Sequence, residues 1–392
     1  MNRPRGATWR RTATLAVVVV CVGYAPIAMT ELWPYAHRGA PAVGAWLLGR
    51  AVSPQYVADA LATRIGPYGR SLVAMVLHSV LGGLLMLLGP VQLLSAIRRR
   101  SRLHRALGVV FALTVYASMA GAAVYLARTA PGEAFSGPAF WIVLATILVG
   151  TVLSVTFGIL AAVGGLPDLH QRWMLLCYGY LMTAPLLRLE WGALPALLPG
   201  LSMEDVNRVA IMHLGSVVVF GALLASRAMD RRDTVPGVRG TWAPTPVLVA
   251  AHVVGVAALG WIVAAAAGWG TTGRRLLAAY LVPLLAAYVV MVVRQRRAGR
   301  DGRSWAREEW RLHLVALCLA PLFSATAGLV FERYVGLDRR TALAAGIAIG
   351  CGMLAFAATA VVSLRVLFAR EVRRRERLAV LPQGDRDPSP VG

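Results

Sequence analysis

The chain contains no lysine and few acidic residues. All 40 basic residues among its 392 are arginine, 18 residues are acidic, and charged residues make up only 15% of the sequence. A soluble domain carries about 25%. The absence of lysine excludes Schiff-base chemistry and P-loop nucleotide binding, because both need that amine. The low charge content excludes an ordinary water-soluble globular protein.

Cysteine is also scarce. The four cysteines each stand alone in an apolar run, and the chain has no C-x-x-C pair. This excludes a disulfide scaffold, a zinc ribbon and a thioredoxin-like site. The chain also lacks G-x-S-x-G and H-E-x-x-H motifs, which makes a hydrolase a poor interpretation. If the protein is an enzyme at all, we expect a component of a membrane oxidoreductase.

Hydrophobic residues are abundant, at 58% of the chain. A helix of around 20 apolar residues is long enough to cross a bilayer, and only a helix satisfies its backbone within one segment. The sequence therefore predicts an all-α, polytopic transmembrane bundle of about ten spans. The predicted spans are 12–30, 71–97, 104–127, 138–163, 169–189, 206–228, 246–268, 275–293, 312–331 and 341–368.

The net charge of +22 is explained by topology. If the N-terminus is cytoplasmic, 28 arginines lie in or beside inner loops and 12 on the outer side. Positive residues concentrate on the cytoplasmic side of membrane proteins. We therefore expect both termini in the cytoplasm, a multi-pass protein of the inner (plasma) membrane, attraction to anionic lipid and no binding of nucleic acid.

The pattern divides the chain into four parts. Residues 1–70 would hold a first transmembrane helix, more consistent with an uncleaved span than with a signal peptide, and an outer-face loop. Residues 71–230 would form a five-helix bundle that carries histidines, and 241–370 a less polar four-helix bundle. We expect residues 371–392 to be a cytoplasmic tail, disordered beyond Leu381.

Four of the seven histidines form two depth-matched pairs. At 1.5 Å per residue, His78 and His213 lie roughly 10 Å below the outer ends of their helices. His104 and His170 open two helices at the inner face. Bis-histidine heme sites need two neutral imidazoles from separate helices at one depth. The pattern therefore favours two heme b groups whose iron would be ligated by His78 with His213 and by His104 with His170.

Further residues fit this hypothesis of a transmembrane electron carrier. Gly82 and Gly108 follow His78 and His104 at the i+4 position and would leave room for a flat macrocycle. Arg105 and Arg172 lie beside the inner histidines and would bind heme propionates. The electron donor and acceptor are not indicated.

Two other hypotheses stay open. In one, the protein is a non-redox transporter or lipid-interacting protein, and His104, Arg105, His170 and Arg172 form a cationic inner pocket for an anionic headgroup or metabolite. In the other, it is a structural or sensory membrane subunit. Under both, the histidines make hydrogen bonds to neighbouring helices and the glycines mark close packing.

Three motifs between residues 70 and 230 carry a family resemblance. The first is a histidine helix that ends in G-P-x-Q, followed by a basic loop with L-H-R-x-x-G, and then by H-x-R-W-M. The matching positions are His78, Gly89, Pro90, Gln92, His104, Arg105, Gly108, His170, Arg172, Trp173, Met174 and Arg188. In these, the chain resembles a family of predicted bacterial membrane proteins, domain of unknown function 2306. The resemblance implies a membrane protein and brings no activity with it.

Overall fold

The computed structural model describes residues 5–37, 39–40, 43–226, 229 and 232–380, and all regular secondary structure in them is helical. These residues form fifteen α-helices, a short 3₁₀ helix at Pro131–Glu133 and no strand. The helical fold class predicted from composition is thereby confirmed.

The first seventy residues hold one long helix and three short ones. Their bounds are α1 Arg5–Thr30, α2 Trp33–Ala36, α3 Val43–Ala51 and α4 Pro54–Arg70. The predicted outer-face loop is thus largely helical. Ser53 begins α4 by accepting a hydrogen bond from the Tyr56 amide at 3.0 Å, and Pro54 fits the first turn because its missing N–H has no partner there.

The middle of the chain supplies the histidine-bearing helices. Their bounds are α5 Leu72–Leu93, α6 Ser95–Arg99, α7 Ser101–Arg128, α8 Pro138–Val163, α9 Pro167–Leu181, α10 Thr183–Leu197 and α11 Met203–Ser226. The C-terminal part holds four more, α12 Thr245–Ala267, α13 Gly270–Arg300, α14 Ser304–Tyr334 and α15 Arg339–Val380.

Nine helices in the described part of the chain are long and apolar enough to cross a membrane. The fifth predicted span, 169–189, differs because it consists of α9 and α10, each 15 residues long and joined end to end at Met182. At one end of this pair Arg370 donates a hydrogen bond to the Gly164 carbonyl, and at the other Gly192 packs against Ala51. The two helices together run the length of the bundle.

We name the two ends of the bundle after the predicted orientation. The outer end holds the start of α5 and the end of α1, and the inner end holds the start of α7, α9 and α14. At about 1.5 Å per residue, the 42 residues of α15 extend well beyond the roughly 30 Å of a bilayer core. This helix continues to Val380, and the disorder expected beyond Leu381 lies outside the described residues.

The core joins the two bundles that the sequence predicted separately. One cluster of buried side chains runs from Leu176 in α9 through Phe220 in α11 to Trp310 and Val362. Helices α11 and α15 approach closely, because any side chain at Gly215 would collide with the backbone of Ala348. The packing of α11 against α15 therefore joins the histidine-bearing helices to the C-terminal helices.

Candidate functional site

The most prominent site is a cavity of about 220 Å³ lined by residues of α1, α4, α5, α7, α8, α9, α10, α11 and α15. We call it the outer cavity, because it lies in the outer half of the bundle. Leucine, valine, methionine and aromatic side chains form most of its wall. The wall also contains polar side chains, namely Tyr24, Glu31, His78, Ser79, Ser118, Thr146, Tyr180, Thr183 and Arg188.

His78 lies in the wall of this cavity. Its Nδ1 lies 3.0 Å from the carbonyl oxygen of Ser118, and the Ser118 hydroxyl donates to the carbonyl oxygen of His78, also at 3.0 Å. A carbonyl oxygen only accepts, so Nδ1 carries the proton and donates it. The neutral ring then keeps a lone pair on Nε2. His78 can therefore accept a hydrogen bond from a molecule in the cavity.

A charge pair lies in the same wall. Arg188 in α10 approaches Glu31 at the end of α1, with 3.4 Å between Nη2 and Oε2. The guanidinium also lies 4.9 Å from the ring centroid of Trp191 and 5.8 Å from that of Tyr24. Aromatic faces attract cations, so they stabilise the arginine together with the carboxylate. The pair supplies both a donor and an acceptor at the edge of an apolar space.

The junction between α9 and α10 borders the cavity through Leu181 and Thr183. Pro185 explains the break, because it has no N–H to donate to the carbonyl of Leu181, four residues earlier. Broken helices at membrane depth are tolerated where they are buried in protein or line a cavity, as in transporters. The interruption is therefore a second feature of the cavity wall.

The outer histidine pair predicted from depth is not brought together. The Nδ1 of His213 lies 2.6 Å from Oε1 of Glu190, and 41% of its side chain is exposed. The face of α11 that lines the cavity carries Ile211 and Gly215, and His213 lies roughly opposite to it at 100° per residue. Equal depth did not imply facing positions, so His78 and His213 do not fit a shared outer heme.

The inner histidines are closer to the predicted arrangement. His104 and His170 lie within electrostatic range of each other, and Nδ1 of His170 is 2.8 Å from the carbonyl oxygen of Gly158. That contact leaves Nε2 of His170 for another partner. The outer cavity contains neither residue in its wall. Heme ligation by this pair stays a prediction.

One of the four residues predicted for the cationic inner pocket has an acidic partner within the protein. Arg172 forms an ion pair with Glu309 of α14, with 2.6 Å between Nη2 and Oε1 and side-chain exposures of 4% and 0%. Its charge is neutralised within the protein and shielded from an anionic ligand. Arg105, by contrast, is exposed at the start of α7.

The inner end holds a second buried ion pair, and the sequence analysis predicted neither pair. Arg365 of α15 pairs with Glu308 at 3.1 Å and donates to the carbonyl oxygens of Arg239 and Gly240. The interpretation of 294–311 as a loop placed both glutamates outside the bundle, whereas α14 begins at Ser304. The i, i+4 spacing of Glu309 and His313 on one helix face was the available signal.

In the described ranges, no three His, Cys, Asp or Glu side chains come together as a metal site. No curated protein and no solved structure matches the chain. Residues 75–226, fewer than half of the chain, match the family model described as predicted membrane protein (DUF2306). The motif resemblance is confirmed, and residues 75–226 are the segment of this membrane protein that matches the DUF2306 family.

Proposed function

We propose that the protein is a non-redox membrane protein that binds a lipophilic small molecule in the outer cavity. The observation that carries this proposal is an apolar space of about 220 Å³ with the acceptor nitrogen of His78 in its wall. Binding sites for small molecules are typically apolar, with a few convergent polar groups that fix orientation. This is the class of transporters and lipid-interacting proteins, with the site in the outer half of the bundle.

The cavity wall favours one chemistry of ligand. His78 would accept a hydrogen bond from a hydroxyl or similar donor, and the Glu31–Arg188 pair would bind a second polar group of the same head. Pockets for whole drug-sized molecules measure roughly 300–1,000 Å³. The outer cavity is smaller. We therefore expect a polar head and part of an apolar tail to enter, with the rest of the tail in the bilayer.

Filling the cavity tests the proposal. A Cβ atom at Gly82 would meet nothing within 4 Å, and Gly82 lines the cavity. Gly82→Leu should therefore fold and occupy the binding space. Gly260→Leu is the matched control, because Gly260 is also helical and open but lies on α12, away from the cavity.

The readout is the small molecules that co-purify with each variant, extracted with organic solvent and measured by mass spectrometry. We expect a lipophilic compound in the wild type and in Gly260→Leu, reduced at least tenfold in Gly82→Leu. Equal amounts in all three proteins, or no compound retained beyond bulk lipid, would overturn the proposal.

Heme b at His104 and His170 makes a contrasting prediction. Protein made in a heme-replete host would show b-type bands in a reduced-minus-oxidised spectrum, and His104→Ala would remove them. A spectrum without such bands eliminates the electron-carrier hypothesis and leaves the ligand-binding proposal intact.

We also propose the orientation that the arginine count supports, with both termini on the cytoplasmic side of the inner membrane. A reporter that is active only in the cytoplasm, fused after Gly392, should be active. A reporter active only outside the cytoplasm, fused at the same position, would be active if the orientation were reversed.

A further inference from the structure

One part of the inner end combines a dense positive charge with no recorded acidic partner. It is the corner where α5 ends, α6 follows and α7 begins, and we call it the α5–α7 corner. Its five arginines are all exposed, and the structure records no ion pair for any of them among the described residues. They are Arg98, Arg99, Arg100, Arg102 and Arg105.

Other arginine-rich segments at the inner end carry acidic partners of their own. Arg303 pairs with Asp301 at 3.3 Å, and Arg374 pairs with Glu371 at 2.9 Å. At the α5–α7 corner no such partner is near in sequence, because the chain has no acidic residue from 60 to 132. The positive charge of the corner is therefore left for an anion from outside the chain.

Polar groups of α5 and α7 lie beside these arginines. Gln92 Nε2 lies 3.5 Å from the His104 carbonyl oxygen, a weak contact. Gln92 Oε1 and His104 Nδ1 are both buried and have no hydrogen-bond partner in the part of the chain that the structure describes. Gly108 leaves space beside them, since a Cβ there would come no nearer than 3.8 Å, to Gln92 Nε2.

Gln92, His104 and Gly108 come from two of the sequence motifs, G-P-x-Q and L-H-R-x-x-G, whose residues do not line the outer cavity. A buried polar group without a partner costs free energy, so its retention suggests a partner that binds there. The structure thus brings the glutamine of one motif onto the histidine and glycine of the other.

Exposed leucines indicate where that partner comes from. Leu93 is 43% exposed, Leu94 45% and Leu103 37%, and they flank the arginines. Apolar side chains beside a basic cluster are typical of a surface at the boundary of the bilayer. A soluble anion would make no apolar contact with the leucines, whereas a phospholipid would contact them with its acyl chains.

We propose that the α5–α7 corner binds the phosphate-bearing headgroup of an anionic phospholipid. The arginines attract the phosphate and make charge-assisted hydrogen bonds to it, and His104 and Gln92 hydrogen-bond the headgroup. This site is independent of the outer cavity and lies at the opposite end of the bundle.

The test compares two variants that remove the same charge at the same end. The first is Arg98→Gln/Arg99→Gln/Arg100→Gln, and the matched control is Arg296→Gln/Arg297→Gln/Arg300→Gln on α13. Each full-length protein is stripped of lipid in detergent, and binding of phosphatidylglycerol is measured by native mass spectrometry. Phosphatidylcholine and inorganic phosphate serve as separate ligands.

The wild type and the α13 control should bind phosphatidylglycerol, and the corner variant should bind it roughly tenfold to hundredfold more weakly. Gln92→Leu keeps every charge, and a severalfold loss of binding in this variant would show that the buried amide contributes. Equal loss in both triple variants would overturn the proposal in favour of general attraction to the membrane surface. Phosphatidylcholine that binds as tightly as phosphatidylglycerol, or phosphate that binds equally in the absence of lipid, would also overturn it.

Discussion

The two ends of the bundle use the same residue types in opposite ways. At the inner end Arg172, Glu309 and His313 are all buried, and the ion pair holds α9 to α14. At the outer end Glu31 and Arg188 lie 3.4 Å apart, farther than the atoms of the inner pair, and both line a cavity. His78 lies in the wall of the same cavity. Charged side chains in this bundle therefore hold helices together where they are buried against each other, and they can reach a ligand only where a cavity lies beside them.

Breaking the inner pair should have the largest effect. Removing one member of a buried ion pair leaves an uncompensated charge and costs about 3–5 kcal/mol. Arg172→Met alone should therefore lower the unfolding free energy by that amount, measured by denaturant unfolding in detergent.

The double variant Arg172→Met/Glu309→Leu should recover most of this loss, because no charge remains unpaired. A double variant as unstable as the single one would show that the pair does more than hold two helices together.

A change at His78 should have a small effect on stability and a large effect on retention of the ligand. His78→Leu loses one hydrogen bond to Ser118, worth about 1 kcal/mol, so its stability should change far less than that of Arg172→Met. The same change removes the acceptor from the cavity and should weaken retention of the co-purifying molecule about tenfold. Stability and retention are measured on the same preparation. Unchanged retention would contradict the role given to His78.

An exposed carboxylate at the outer end should give the smallest effect. Asp338 precedes α15 and accepts hydrogen bonds from the amides of Arg340 and Thr341 at 3.1 and 3.0 Å. Partial burial opposes ionisation, but the bonds from Thr341 and Arg340 and the nearby charge of Arg208 outweigh it and lower the pKa of Asp338. Asp338→Ala should cost about 0.5–1 kcal/mol, the value of a helix cap.

The sign of its pH dependence follows from the lowered pKa. A carboxylate with a lowered pKa in the folded protein stabilises it above the unfolded value and loses that contribution as the pH falls through the folded value. The difference between wild type and Asp338→Ala should therefore be full at neutral pH, begin to fall as the pH drops below about 4, and vanish once the pH is below the lowered pKa of the folded protein. A difference that persists there would indicate packing as its source.

The helices and the family could be predicted because apolar length and motif order are local properties of the chain. The ends of the elements were harder. Residues 308 and 309 look like loop acids in sequence, since nothing local reveals that Arg365 and Arg172 lie beside them. The sequence could not assign facing positions to His78 and His213 for a similar reason, because depth follows from counting residues whereas facing depends on how each helix is rotated against its neighbours.

By itself, the sequence determined that this chain is a helical membrane protein, where most of its spans lie and which residues carry the motifs. Hydrophobic length determines the fold class and the spans, because the bilayer acts on every segment in the same way. The motifs follow directly from the order of the residues. Tertiary structure decided which charges are paired, which histidine borders a cavity and which arginines have no acidic partner. These depend on contacts between residues far apart in sequence, such as Arg172 with Glu309 and Arg188 with Glu31.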